Sequence, residues 1–234
     1  MAQEIFDKFL STGFLDANDG AREHSIDLYQ RNYDSFLPRD KEAKILEIGC
    51  GLGFFLDFLA RAGYKNYLGV DLSSEAVEYC QERGMSKVRL IEDLQVFLRS
   101  SENYDLVVLN DVIEHLEKAT IIPIIKLIYE KLNYQGRIII KTGNLESAIG
   151  ARMRYLDFTH EVGFTAYSLA QVLKVARFRD ILINPFSMPR NSFTRMIRYG
   201  LQKIWHGIWR GIFFVEYSMS PVLTEELIFA VAKK

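Results

Sequence analysis

The stretch ILEIGCGLGFFL at 45–56 constrains this chain more than any other. A short apolar run passes through Glu47 straight into Gly49, Cys50, Gly51, Leu52 and Gly53, and a helical pattern starts directly behind them. Glycines at such a junction permit a tight turn and let the backbone come close to a ligand. The helix behind them offers free N–H groups and the positive end of its dipole. In a doubly wound sheet, cofactors sit at this point. Asp71 ends the next apolar run, and a carboxylate there can accept hydrogen bonds from both hydroxyls of a ribose.

A glycine loop alone does not name its ligand, so spacing has to decide. The dinucleotide fingerprint would put glycine at position 54, which is Phe54. A P-loop would need Gly-Lys-Ser/Thr, which is absent. Glu47 at the strand end suits a ligand with a cationic amino group and no pyrophosphate.

The rest of the chain repeats the rhythm of short apolar runs and helical stretches, which predicts α/β with a parallel sheet. Strands are expected at 44–48, 66–71, 87–91, 104–110 and 136–141. Helices are expected at 20–37, 53–62, from Ser74 to about Arg83, and at 120–132 with Pro123 in the first turn. After 141 the rhythm changes. A loop with a short helical piece covers 142–164, a helix 166–176, a strand 178–184 and a last strand 226–233. The connection between those last strands is long enough to count as an insertion. One domain over 1–234 is expected, with an N-terminal helical cover at 1–40, a cofactor-binding core at 41–141 and an acceptor-side half at 142–234.

Several of these stretches together resemble class I S-adenosylmethionine-dependent methyltransferases. ILEIGCGLGFFL at 45–56 resembles that family's first motif, YLGVDLS at 67–73 its second, YDLVVLNDVIEHL at 104–116 its fourth, and GRIIIKTGN at 136–144 its fifth-strand motif. The resemblance implies a Rossmann-like, seven-stranded, mostly parallel sheet with helices on both faces and 226–233 as an antiparallel last strand. It further implies that Glu47, Gly49, Cys50 and Gly51 hold the methionine end of S-adenosylmethionine. Asp71 and Leu72 would meet the ribose, Asp93 and Leu94 the adenine, and Asn110 the floor of the site.

Two stretches bear on the acceptor. Asp111, Glu114 and His115 fall at i, i+3 and i+4, so a helix would present all three on one face. Two carboxylates and an imidazole suit Mg²⁺ or Mn²⁺, with His160 as a fourth ligand. The arrangement resembles that of ubiquinone-pathway and small-RNA 2′-O-methyltransferases. In metal-free relatives the same Glu-His pair only lines the pocket. The second stretch is RYLDFTHEVGFT at 154–165. An imidazole can take a proton from a hydroxyl near neutral pH, so His160 is the candidate base, with Asp157 or Glu161 orienting its ring and His115 nearby. The stretch resembles one in methyltransferases encoded among bacterial surface-polysaccharide genes. That implies a sugar hydroxyl of a glycan or lipid-linked glycan as acceptor. Asn144, Arg154 and Tyr155 are the candidate substrate residues.

Residues 190–217 form the insertion. They carry Arg190, Arg195, Arg198, Lys203 and Arg210, with no acid before Glu216. Apolar residues recur there at steps of three and four, from Phe193 through Ile197, Leu201, Ile204 and Ile208 to Ile212, with Trp205 and Trp209 alongside. A basic amphipathic helix of this kind reads as a membrane-surface element that favours anionic lipid. Packing on the protein's own core or on a dimer partner is the competing reading.

The chain balances 29 basic against 30 acidic residues, which argues against nucleic acid held by bulk charge. Two cysteines make no disulfide scaffold, so a reducing compartment and a cytoplasmic protein are expected, peripheral on the inner face of the membrane. No signal peptide or spanning run is visible. Competing acceptors are a polyprenyl phenol of quinone synthesis and RNA. A different class of function stays open too: a non-catalytic cofactor-binding scaffold at the membrane.

Overall fold

The computed structural model describes Ser11, residues 20–187 and residues 193–234. The expected cover over 1–40 is therefore described from residue 20 onward, apart from Ser11, and Arg190 lies outside the described residues.

Seven strands form one sheet: β1 (Ile45–Ile48), β2 (Tyr67–Asp71), β3 (Val88–Leu90), β4 (Tyr104–Asn110), β5 (Leu132–Gly143), β6 (Arg179–Pro185) and β7 (Leu227–Lys233). Their order is β3-β2-β1-β4-β5-β7-β6. Pairing is parallel from β3 through to β5, and β7 runs antiparallel to both β5 and β6. The expected sheet, with its late antiparallel strand, is the one observed.

The alternation of side chains along each strand builds two apolar layers. Ile45, Leu106, Val108, Ile139, Phe229 and Val231 face one side, under α1 (Arg22–Tyr33) and α2 (Phe54–Arg61). Leu46, Val107, Leu109, Ile138, Ile140 and Ile228 face the other. There they meet α4 (Leu94–Ser100), α5 (Lys118–Lys131) and α7 (Ala166–Val175). Each such side chain contributes roughly 1.5–3 kcal/mol through burial, which is why the central strands tolerate almost no polar residue. α3 (Ser74–Glu82) follows β2, α6 (Gly150–Tyr155) follows β5, and α8 (Phe193–Tyr217) fills the connection between β6 and β7.

Three elements differ from expectation. α4 was not anticipated. It starts because the Asp93 carboxylate accepts from the Val96 N–H (2.7 Å), and Leu94, Phe97 and Leu98 bury its inner face. β5 begins at Leu132 rather than at 136. A register shift against β4, with Gln135 at φ 62°, carries the strand across its glycine. α5 begins at Lys118, so Pro123 sits inside it rather than in its first turn. A clear N-terminal signal belongs to α7, where Thr165 and Ser168 form a reciprocal capping box.

The sheet reverses its winding between β1 and β4. Open α/β sheets bind ligands in the crevice outside the carboxyl ends of their strands at such a point.

Candidate functional site: a cofactor crevice beside a histidine loop

The loop after β1 folds over β2. Gly49 and Cys50 both donate to the Val70 carbonyl, and Gly51 N donates to Asp71 Oδ2 at 2.8 Å. Ser73 N donates to the other Asp71 oxygen at 2.9 Å. Each carboxylate oxygen is thus aimed by one backbone N–H and keeps a lone pair for a hydroxyl. Burial raises the Asp71 pKa, and those backbone N–H groups oppose the rise. Gly49 has φ +68°, and a Cβ on it would stand 2.4 Å from Val112 Cγ2, so only glycine lets this loop lie against the 110–115 turn. A Cβ on Gly51 would meet nothing within 4 Å, which leaves the ligand side of the loop open.

Glu47 is buried, and the arrangement around it is specific. Tyr33 Oη donates to Asn110 Oδ1 (2.8 Å), and Asn110 Nδ2 donates to Glu47 Oε1 (3.0 Å). This line sets the Asn110 amide and leaves Glu47 Oε2 buried with no partner in the protein. Burial pushes the Glu47 carboxyl up to about 8, while the Asn110 hydrogen bond pulls the other way. An orphaned buried carboxylate oxygen calls for a donor, and a charged one most of all. The ammonium of a methionine moiety fits. Glu47, the Gly49–Gly51 backbone and Asp71 together suit S-adenosylmethionine.

Other residues assigned to the cofactor sit differently. The Cys50 side chain is buried and wedged against Gly69, where a Cβ would lie 2.8 Å from Cys50 Cβ, so it packs beneath the loop. Burial raises its thiol pKa well above the usual value. Leu94 turns into the core, and Leu72 packs against the same core from a half-buried position. Asp93 is exposed at the start of α4 and spends one oxygen on its cap.

The acceptor side lies past the end of β4. Asp111 has φ 54°, an uncommon backbone state for a residue other than glycine and one that clusters at functional sites. Its carboxylate pairs with Lys141 Nζ at 2.5 Å. Burial alone would lower the Lys141 pKa, but the Asp111 carboxylate beside it overcomes this and holds the lysine charged. Glu114 is buried on a single 3₁₀ turn, Ile113–His115, and its Oε2 has no partner in the protein. Burial, and next the Asp111 charge, push its carboxyl up to about 8.

The loop 156–165 crosses this turn. Glu161 N and Val162 N both donate to the Glu114 carbonyl. Asp157 Oδ1 accepts from both the N–H (2.8 Å) and the hydroxyl (2.7 Å) of Thr159. With its one proton committed, Thr159 Oγ1 can only accept from His115 Nδ1, 2.7 Å away. The His160 Nδ1 lies 2.9 Å from the Met153 carbonyl and must therefore donate to it. In the His160 ring Nε2 is left as the basic nitrogen, and the two ring centroids are 4.6 Å apart. Burial, with His160 next, lowers the His115 pKa to about 4, so that ring is neutral at physiological pH. A small pocket open to solvent lies here, lined among others by Glu114, Thr142, Met153, Arg154, His160 and Gly163.

Several expectations are corrected at this point. Asp157 does not orient His160. It holds Thr159, which holds His115. Arg154 lines the pocket, but its guanidinium donates to the carbonyls of His160 and Glu161, so it clamps the loop. Tyr155 projects into solvent, and Asn144 is fully buried. Asn144 donates to the Leu223 and Glu225 carbonyls and accepts from Glu146 N, so its amide ties the loop after β5 to the approach of β7.

The metal ligand set is not assembled either. Asp111 lies outside the 3₁₀ turn and is neutralised by Lys141, so no helical face carries Asp111, Glu114 and His115 together. Among the described residues, no group of three or more His, Cys, Asp and Glu is placed to share an ion. The residues present do not fit a divalent cation.

Lys141, Thr142 and Thr159 belong to the site and had been given no role. A lysine ending the apolar strand GRIIIK was the available signal for the first of them.

The family model described as a methyltransferase domain matches residues 21–182. A SAM-dependent methyltransferase from Archaeoglobus fulgidus has a TM-score of 0.68 and 23% identity, covering 91% of this chain and 94% of its own. A SAM-dependent methyltransferase from Thermotoga maritima also has a TM-score of 0.68, at 16% identity, with both chains covered in full (100%). The magnesium protoporphyrin IX methyltransferase of Synechocystis, solved with bound SAH, has a TM-score of 0.59 at 16% identity, again with 100% of both chains covered. A peramine synthetase of Metarhizium rileyi is 29% identical over 146 residues, 58% of this chain, and this chain spans only 5% of that protein. The model spans more than half of the chain, including the glycine loop, the Asp71 strand end and the Asn110 strand end: the chain belongs to the methyltransferase-domain family.

Proposed function

We propose that this chain transfers a methyl group from S-adenosylmethionine to a sugar hydroxyl of a glycan or lipid-linked glycan precursor. The bound cofactor supplies an electrophilic methyl on a sulfonium. Glu47 holds its ammonium, Asp71 its ribose hydroxyls, and Gly49 and Gly51 let the backbone approach. Asp93 and Leu72 border the same crevice. The acceptor enters the pocket between Thr142 and His160.

The observation that carries this reading is His160 itself. Its Nδ1 is committed to the Met153 carbonyl, so Nε2 presents a lone pair beside that pocket. The acceptor hydroxyl gives its proton to His160 Nε2 as the oxygen–methyl bond forms and the sulfur–methyl bond breaks. His115, held neutral by burial, keeps a second positive charge away from that nitrogen. Proximity and alignment supply much of the remaining rate. On this reading the chain works in the cytoplasm, at the inner face of the membrane where lipid-linked glycans are built.

The test uses methyl-labelled cofactor and fractionated cell extract. Label is expected in the glycan or glycolipid fraction. His160→Gln should lower turnover about a hundredfold or more while cofactor affinity stays unchanged. Label in RNA or quinone would refute the acceptor, and unchanged turnover in His160→Gln would refute the base. Cofactor binding with no label in any fraction would favour a scaffold.

A further inference from the structure

α8 turns its apolar face away from the protein. Its half-buried positions are Tyr199, Gln202, His206, Trp209 and Phe213, which recur at steps of three and four and form the body-facing stripe. Trp209 Nε1 donates to the Glu146 carbonyl (2.8 Å), His206 Nδ1 lies 3.8 Å from Glu225 Oε1, and the Arg210 guanidinium donates to the Val222 carbonyl. The opposite stripe holds Ile197, Leu201, Ile204, Ile208, Ile212 and Val215. All are exposed, Ile204 at 64% and Val215 at 80%. Gly200, Gly207 and Gly211 border that stripe, and a Cβ on any of them would meet nothing within 4 Å. Packing on the protein's own core is thus not what this face does.

We propose that α8 lays this face into the surface of a bilayer rich in anionic lipid. Charge argues for it. At 100° per residue, the exposed face continues from that stripe past the three glycines to Met196 and Phe214, with Lys203 and Arg210 beyond it on that side and Arg198 beyond Ile212 on the other. Cations flanking an apolar face can bury their stems and reach lipid phosphates. No acid precedes Glu216 in the helix. A second copy of the chain fits worse, because a two-fold contact through this stripe would set like charges against each other. No described helix is long and apolar enough to cross a membrane, so α8 lies along the surface. Through Glu146 it is tied to the segment between β5 and α6, so docking would bring the acceptor pocket toward lipid. The docking itself does not rest on the methyl-transfer reading.

Co-sedimentation with vesicles tests it, using phosphatidylcholine alone and phosphatidylcholine mixed with phosphatidylglycerol. The full chain should sediment with the mixed vesicles and stay in solution with the neutral ones. Arg198→Gln with Lys203→Gln should weaken binding roughly thirtyfold, since each cation near the surface counts for about a factor of five in affinity. Ile204→Glu with Ile208→Glu should abolish binding. Both positions are exposed, so the melting temperature should not move. Failure of the wild-type chain to bind mixed vesicles overturns the proposal. So does equal binding to neutral vesicles, equal binding by the double glutamate variant, or a wild-type dimer that this variant splits.

Discussion

Replacing Glu47 by glutamine isolates the electrostatics of the cofactor crevice. Glutamine keeps an oxygen for Asn110 Nδ2 and replaces the orphaned Oε2 with an amide nitrogen. With its carboxyl pushed up from 4.5 to about 8 by burial, Glu47 is about nine-tenths protonated at pH 7 in the ligand-free protein. An incoming ammonium needs the ionised form, so cofactor binding by the wild-type protein should release close to one proton at pH 7. It should weaken about tenfold for each pH unit below about 8. Glutamine cannot ionise. Losing the charge-assisted hydrogen bond costs about 1.5–3 kcal/mol, or ten- to more than a hundredfold in affinity at pH 8. Calorimetric titration with cofactor, repeated in buffers of different ionisation enthalpy, reads both the affinity and the proton count.

The same substitution should reverse a stability trend. The folded-state pKa of Glu47 lies above its unfolded value, so its contribution is fully present below about 4.5 and is lost as pH rises through about 8. Over that window the wild-type protein should lose roughly 1.4 kcal/mol per pH unit relative to Glu47→Gln, and nothing further above it. Thermal unfolding of both proteins from pH 5 to 9 reads the difference. Parallel curves would refute a protonated Glu47, and unchanged affinity would refute its role as the ammonium site.

Three further outcomes follow from the geometry. Gly49→Ala should lower the melting temperature markedly, because its Cβ would stand 2.4 Å from Val112 Cγ2. Gly51→Ala meets nothing within 4 Å, so it should cost only about 1 kcal/mol of backbone strain yet cut cofactor affinity, and equal melting shifts would refute the distinction. By NMR the His115 ring should titrate near 4 rather than 6.5; its lowered pKa makes its contribution one that is lost as pH falls from about 6.5 toward 4, and an inflection near 6.5 would show that the ring is not buried. Asn144→Ala removes hydrogen bonds to the Leu223 and Glu225 carbonyls and from Glu146 N, so it should destabilise the fold by about 2–4 kcal/mol in denaturant unfolding, and a neutral result would refute the tie between the loop and β7.

Much of the fold could be read from sequence because its strands are buried on both faces. YDLVVLN at 104–110 is strand β4 to the residue, since an unbroken apolar run that short has few alternatives. The cofactor loop was readable for a related reason: φ values of +68°, +48° and +73° at Gly49, Gly51 and Gly53 leave a chemical trace in the residue type itself. α4 left less trace. Its outward positions carry Gln95, Val96 and Arg99, and the only sharp signal was Asp93, which had been assigned to the ligand when it also caps the helix. An amphipathic stripe, likewise, says which residues of α8 share a face but not where that face points. The protein-facing stripe carries Gln202 and His206 beside Tyr199, Trp209 and Phe213, so the more apolar side is the one turned outward.

The acceptor side was misread for a different physical reason: neighbours in sequence compete for the same partner. Asp157 stands three residues before His160 and was expected to orient it. A carboxylate two residues before a threonine instead closes a local turn on that residue's own N–H and hydroxyl, a contact that costs little chain entropy to form. Once Thr159 has given its proton to Asp157, it can only accept, and the donor that reaches it is His115, 44 residues away. The same logic undoes the expected metal face. Asp111 could serve an ion only if its charge were free, and Lys141 near the end of β5 lies close enough to take it. In both cases the spacing named the right residues and paired them wrongly: a local turn took Asp157, and a lysine of β5 took Asp111. What survives is more restrictive than the pattern that suggested it: one neutral imidazole locked by Thr159, a second whose Nε2 is left to accept, and a buried carboxyl between them and the cofactor crevice.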